Sequence, residues 1–521
     1  MGTTEINIFI KSVSPTINNL LGRQKFWTAV VFLFVFSFGL IWGFITPAMN
    51  EAPDEASHIN MVYFLKTERR IPVFNHESKI IPTQYDPKLL SGAYYSMAYN
   101  SPFNYLPFIP FYYSNLEDIS KQNVLPIRAV SAFFVALFAV FLFLALKVSR
   151  KANFTTALLV SLAVSLIPQI IFSAGYVNIE PLALMFSAMT FYAFSLIYFK
   201  KDDRVRNYLF FGVALMSLGL CKANYYILIA FFSLLSLIDI FISKQILFKL
   251  KRYLLPFLIF IVGNFWWWLR NLNLYGDPLI INYIKNEIVA KAPDWLLTLT
   301  ERGETIISIF SNKYFFDFGI LGFFANLGGA NIFLPKFFYL AFCLLILIPI
   351  GILVVSLFRK IKNLDREDWF LIIFFLVSFI SLLVFANKNL TDFSPQGRHL
   401  FPLMIPLAGV LFFALSKFKN SKILIIYPLF SLISSIFGIY ELIKGYYLLG
   451  NTYVNIQSPS DIYGKVINDF HWQEFSDWQR LLTLINQNNS SLIVFEVIVS
   501  LIFVISFIFL IKILHQIPKK L

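Results

Sequence analysis

Apolar residues arrive along this chain in blocks of about twenty, separated by short polar links, with little of the three-to-four spacing of an amphipathic helix. The first block runs from about Phe26 to Ala48, and others follow at approximately 126–147, 154–174, 179–199, 207–221, 224–242, 253–271, 337–358, 368–386, 399–416, 422–446 and 491–514. Each is long enough, or nearly so, to cross a bilayer as a helix. The pattern predicts an all-α integral membrane protein with about twelve spans. Arg23 and Lys25 precede the first block, which is too long for a signal-peptide core and has no convincing cleavage site. It reads as a retained first span.

The polar links fall into two kinds. Basic clusters at Lys147/Arg150/Lys151, Lys200/Lys201/Arg204/Arg206, Lys244/Lys249/Lys251/Arg252, Arg359/Lys360/Lys362/Arg366, Lys417/Lys419/Lys422 and Lys519/Lys520 alternate with links poor in Lys and Arg. Short basic loops stay cytoplasmic, so both termini are predicted cytoplasmic and the other links outward. Three outward loops are long: 49–125, 272–336 and 447–490. The first carries a helix-like pattern over Ala52–Lys66, with Ile59, Val62, Tyr63 and Leu65 apolar, then an aromatic, proline-punctuated stretch at Tyr94–Tyr113. These are expected to lie along the interface. Tyr446, Tyr447, Tyr453, Trp472 and Trp478 in the last loop fit an aromatic belt. Residues 1–447 read as one transmembrane domain, and 448–521 as a polar outward loop with a last span.

Composition confirms the class. The 521 residues are 58% hydrophobic and 14% charged, which excludes a soluble fold, so the formal net charge of +14 serves topology and does not point to nucleic acid. The two cysteines, Cys221 and Cys343, lie in different apolar blocks and suggest neither a disulfide framework nor a cysteine metal site. Richness in Ile, Phe, Asn and Lys fits an AT-rich, bacterial genome and hence the plasma membrane.

Chemistry-bearing residues collect on the outward links. Glu51-Ala-Pro-Asp54-Glu55-Ala-Ser-His58 follows the first span. If Pro53 opens a helix, Asp54 and His58 share a face. An acid there could act as general base or, with its neighbour, hold a divalent cation; acids also simply favour a helix's first turn. Adjacent helical residues point about 100° apart, so the choice between Asp54 and Glu55 stays open. Lys222, Arg270, Arg398 and His399 stand on the same predicted side. The block ending at Lys222 spans only roughly 24 Å, so this lysine lies deep enough to need a partner: a phosphate, or an internal acid such as Glu180. Arg270 and Arg398 could equally snorkel to headgroups. Glu180, the lone acid of another tight link, is either a turn residue before Pro181 or an acid facing a cation.

Taken in order, Ala52-Pro-Asp54-Glu55-x-x-His58, Val177-Asn178-x-Glu180, Leu220-x-Lys222-x-x-Tyr225, Arg270-Asn271 with Tyr275-Gly-Asp-Pro278, and Gln396-Gly-Arg398-His-x-x-Pro402 resemble a large family of bacterial multi-pass membrane proteins, itself similar to the type C glycosyltransferases. The resemblance covers about residues 30–415. It implies a GT-C-like bundle with interfacial helices in the first outward loop and a polyprenyl-phosphate-linked sugar as donor, transferred with inversion to an envelope glycan, lipid or protein. By position, Asp54 would be the general base, Glu55 its neighbour and candidate metal ligand with it, and His58 an orienting or phosphate-facing group. Lys222, Tyr225, Arg270, Arg398 and His399 would hold the donor phosphate, with Asn178, Glu180 and Asn271 in support. The family pattern often has proline at the position of Ala52, aspartate at that of Glu180 and tyrosine at that of His399. A transporter or flippase of a lipid-linked intermediate is the alternative, and a non-catalytic assembly partner a third; crowding of the acids at the outer edge favours chemistry.

Overall fold

The computed structural model describes residues 24–46, 52–74, 97–112, 121–150, 153–291, 298–329, 332–360, 363–391, 395–418, 421–444, 497–508 and 511. The loop 447–490, with its Tyr446, Tyr447, Tyr453, Trp472 and Trp478, lies outside them.

The described chain is helical, apart from an isolated bridge between Leu327 and Ile332. A helix stands in each of the twelve apolar blocks. Eight are long and apolar enough to cross a membrane by themselves, and Phe154–Ser165, Val205–Cys221 and Val497–Ile508 are shorter apolar helices. Twelve helical blocks are therefore present, but not twelve full-length spans. Part of the difference is local. The 154–174 block breaks at Pro168, whose ring cannot continue a helix, into Phe154–Ser165 and Pro168–Ser173.

The helices that position the site are α1 (Gln24–Ile45), α2 (Glu55–Glu68), α3 (Lys121–Ser149), α4 (Phe154–Ser165), α5 (Pro168–Ser173), α6 (Glu180–Tyr198), α7 (Val205–Cys221), α8 (Tyr226–Phe241), α9 (Ile246–Tyr275), α10 (Ile281–Lys291), α11 (Lys336–Arg359), α12 (Arg366–Thr391), α13 (Met404–Leu415) and α14 (Ile426–Ile443). α3 packs between α1 and α6, α6 continues onto α7, and α7 onto α9. Small residues let the last pair approach closely. A Cβ on Gly212 would fall 2.8 Å from the Pro256 backbone, and one on Gly263 inside the Met216 side chain. α6 and α13 are almost wholly buried, whereas Leu344, Leu347, Ile348, Val355 and Phe358 of α11 are exposed. Aliphatic exposure on this scale marks a lipid-facing side.

Charged residues occupy two opposite ends of this bundle. At one, Arg150 meets Glu367 at 3.1 Å, Lys249 bridges Asp203 (2.5 Å) and Asp239 (3.2 Å), and Arg366 pairs with Asp239 at 2.5 Å while donating to the Tyr198 carbonyl. These are members of the basic clusters read from the sequence. At the other end stand Asp54, Glu180, Lys222 and Arg398. α6 connects the two, from Glu180 to Tyr198, a rise of roughly 28 Å.

The helix expected over Ala52–Lys66 forms as α2, starting two residues after Pro53 and running on to Glu68. The aromatic stretch folds as three 3₁₀ turns, Met97–Tyr99, Pro102–Asn104 and Leu106–Phe111, in keeping with its prolines. Asn104 anchors it, donating to the Cys221 carbonyl at 2.7 Å where α7 ends.

Candidate active site

The site begins with two adjacent carboxylates that face different ways. Asp54 is the N-cap of α2 and sits in the left-handed region (φ 63°, ψ 9°), which a non-glycine residue rarely occupies and which Asp tolerates better than most. Glu55 is the first helical residue. Its two oxygens take Arg128 of α3 as a fork, at 2.9 Å from Nε and 2.6 Å from Nη2, and one also accepts the Val177 amide at 2.9 Å. Arg128 completes its bonding on the carbonyls of Gly43 (2.7 Å) and Thr46 (2.6 Å), which α1 leaves unsatisfied at its end. Glu55 is fully buried and Arg128 nearly so. This pair ties α1, α2, α3 and the link before α6 together. It leaves Asp54 partly exposed and facing Arg398.

Across from Asp54 stands Arg398, with Nη2 at 2.5 Å from Oδ2. Arg398 lies in the 3₁₀ turn Gly397–Leu403, its Nε donating to Gln396 Oε1 at 2.5 Å and its guanidinium also bonded to Tyr176. Gly397 explains why the turn can come so close: a Cβ there would sit 2.0 Å from the Phe323 nitrogen and 2.1 Å from the Gly322 carbonyl carbon. No side chain fits.

The second cation, Lys222, makes an ion pair with Glu180. Glu180 also accepts the Tyr225 hydroxyl at 3.2 Å. Asn178 sets this acid in place by capping the α6 start: its Oδ1 accepts the Glu180 amide at 2.8 Å, and its Nδ2 donates to the carbonyls of Ser173 and Tyr176. The two open readings of Lys222 and Glu180 thus meet in one internal pair.

His58 is buried, with Nδ1 at 2.9 Å from the Tyr105 hydroxyl, which Asn100 approaches in turn at 3.4 Å. Burial pushes its pKa down to about 3, against the pull of Asp54 and with help from Arg398 and Lys222. The ring is therefore neutral at pH 7. Asp54 shows the opposite balance. Burial, the largest single influence, would raise its carboxyl, but the neighbouring positive groups together, Arg398 first among them, more than offset this and the carboxylate is held below its ordinary value.

Two predicted residues are placed differently. Arg270 donates to the Pro72 carbonyl at 2.7 Å and lies over the rings of Trp267 and Tyr275, while the Tyr275 hydroxyl accepts the Phe74 amide at 2.9 Å. Asn271 bonds the Pro278 carbonyl at 3.3 Å. Arg270 and Tyr275 thus pin the segment that follows α2, and among the described contacts none joins Arg270 to Asp54, Lys222 or Arg398. His399 faces sideways, its Nδ1 at 3.2 Å from Lys388 Nζ on α12 and its carbonyl accepting Asn224 at 3.2 Å.

A divalent cation fits this donor set poorly. Glu55 spends both oxygens on Arg128, Asp54 faces cations, and among the described residues no three His, Cys, Asp or Glu side chains converge. What the arrangement offers instead is one accessible carboxylate beside two cations, a place where a proton can be accepted next to an anion that is being neutralised.

Residues 87–277 match the family model of dolichyl-phosphate-mannose-protein mannosyltransferases. Over that stretch the chain is similar to these transferases. It includes Arg128, Asn178, Glu180, Lys222, Tyr225 and Arg270, and amounts to a little over a third of the sequence. The likeness to glycosyltransferases using a lipid-phosphate sugar, implied by the motifs, is thereby borne out. Among solved structures, the oligosaccharyltransferase AglB from Archaeoglobus fulgidus, in complex with an inhibitory peptide and a dolichol-phosphate, is similar at 14% identity and a TM-score of 0.45, covering 81% of this chain and 56% of that one. The same organism's oligosaccharyltransferase tethered to an acceptor peptide containing the NVT sequon gives 12% identity and 0.45, over 89% of this chain and 63% of the other. The chain thus spans less than two thirds of either structure's length. No curated protein matches its sequence.

Proposed function

We propose that this protein is a membrane glycosyltransferase that moves a sugar from a polyprenyl-phosphate donor to an envelope glycan, lipid or protein, with Asp54 as general base. The observation that carries the reading is the placement of Asp54, the accessible acid of the pair, against Arg398 at 2.5 Å with Lys222 close by. Transfer needs those two functions together. The acceptor's hydroxyl or amide loses its proton to Asp54 as its heteroatom forms a bond to the anomeric carbon. The bond from that carbon to the phosphate oxygen breaks, and the electron pair leaves on a phosphate whose growing charge Arg398 and Lys222 stabilise. Base and leaving group act in one displacement, which inverts the anomeric carbon.

In this reading the site lies on the non-cytoplasmic face of the plasma membrane with both termini inside, which the basic clusters at the opposite end of the bundle support. A flippase is less well supported, because the charges inside that opposite end, buried Asp239 and Lys249 and half-buried Arg366, pair with one another and line no described path toward the site.

The test is transfer of radiolabelled sugar from a panel of polyprenyl-phosphate sugars to native envelope extract by membranes carrying the protein. Asp54→Asn should lower transfer by about 10²–10⁴-fold, the usual worth of a positioned base, and Arg398→Gln should lower it comparably at equal expression. Undiminished transfer by Asp54→Asn would remove Asp54 from the chemistry. Donor that crosses the bilayer in a protein-dependent manner without being consumed would give the transporter reading the lead.

A further inference from the structure

The two cations that the donor phosphate needs are already taken by the protein's own acids, Arg398 by Asp54 and Lys222 by Glu180. The two pairs are not equivalent. Glu180 is 2% exposed, and beyond Lys222 its side chain has the Tyr225 hydroxyl, so withdrawing Lys222 would leave a buried carboxylate with one neutral donor. Asp54 is 28% exposed and is itself the left-handed residue at a helix start, so it can turn toward its exposed side without burying its charge. Arg398 would keep its place when Asp54 leaves, because Gln396, Tyr176 and the tight Gly397 turn hold it.

We propose that Arg398 is exchanged between Asp54 and the donor phosphate, so that the base is released only in a site that already holds its donor. The idea rests on the donor-phosphate reading above. Paired to a guanidinium, the Asp54 carboxylate is a poor proton acceptor; a phosphate that takes over the guanidinium and adds its own negative charge beside the carboxylate makes it a better one. The group to be deprotonated, the acceptor, is therefore activated second. Lys222 stays with Glu180 and offers the phosphate only those ammonium protons that the acid leaves free. An idle site is held in a state that cannot act on a hydroxyl or on water.

The exchange has a consequence opposite to that of an ordinary binding residue, since Asp54 competes with the ligand. In the full-length protein in lipid nanodiscs, with farnesyl phosphate as probe and farnesol as neutral control, Asp54→Asn and Asp54→Ser should bind the phosphate more tightly than wild type, by roughly tenfold, while Arg398→Gln binds it more weakly. Using two Asp54 variants, each compared with wild type by thermal unfolding, guards against one that does not fold. Carbodiimide labelling of Asp54, read by peptide mass spectrometry in the wild type, should rise with farnesyl phosphate and not with farnesol, while Glu180 is unchanged. Wild type and the Asp54 variants binding farnesyl phosphate equally would overturn the exchange and leave the donor site standing. Binding by none of them would overturn both.

Discussion

At the residue scale, the site sets ionisable groups of the same neighbourhood in opposite states. His58 is neutral because burial outweighs the attraction of Asp54, whereas Asp54 stays ionised because the positive groups around it, Arg398 first, together outweigh burial. The two leave separable marks on stability. An unfolded histidine takes up its proton near pH 6.5, while folded His58 resists until about pH 3, so between these values the unfolded state binds more protons and stability falls as pH falls. Asp54, with its folded pKa depressed, contributes stability above the ordinary carboxyl value of about 3.8 and loses it only below that. Between pH 7.5 and 5 the His58 contribution therefore stands alone of the two. His58→Asn keeps an acceptor for the Tyr105 hydroxyl and removes the titration. Its melting temperature in detergent should drop less than that of wild type over this interval, and equal drops would show that His58 is not held neutral.

At the scale of elements, the Glu55–Arg128 pair is the joint on which the site is built, since it fixes the ends of α1 and α2, a face of α3 and the link that carries Asn178 and Glu180. Removing one partner of a buried pair costs about 3–5 kcal/mol, because a charge is left without its counterpart. Glu55→Gln and Arg128→Met should each lower thermal stability strongly, and the double variant less than the sum. Additive losses in that cycle would mean the pair is not coupled. Here the limits of the sequence also show. The apolar blocks, the segmentation of the first outward loop and the motif residues Asp54, Glu180, Lys222 and Arg398 were legible, because hydropathy and the scarcity of outward charges mark them. Arg128 was missed although its signal was present: it is a cation three residues into an apolar block, where an unpaired charge is expensive. The division of labour between Asp54 and Glu55 was not legible, since it depends on one left-handed residue and on partners more than 70 positions away. Lys388 meets His399 through a contact that only the folded chain makes. That Arg270 also holds the Pro72 carbonyl, 198 positions away, was not legible either.

For the molecule as a whole, the reading turns on which end of the bundle faces out. The charged residues divide between two ends about one helix length apart, with Asp54, Lys222 and Arg398 at one and the paired basic clusters at the other. A polyprenyl-phosphate donor with its sugar outside would need the first end to be non-cytoplasmic, and the positive-inside bias of short loops favours the same orientation. Single cysteines report it directly. In a background with Cys221 and Cys343 replaced, Leu106→Cys, exposed in the third 3₁₀ turn beside the site, should react with a membrane-impermeant maleimide in intact cells. Lys251→Cys, exposed near the start of α9 at the opposite end, should react only after permeabilisation. Activity of both variants in the transfer assay would show that the fold is kept. The reverse labelling pattern would place Asp54 and Arg398 on the cytoplasmic side and overturn the orientation. The same geometry would then have to serve a phosphate ligand presented from inside.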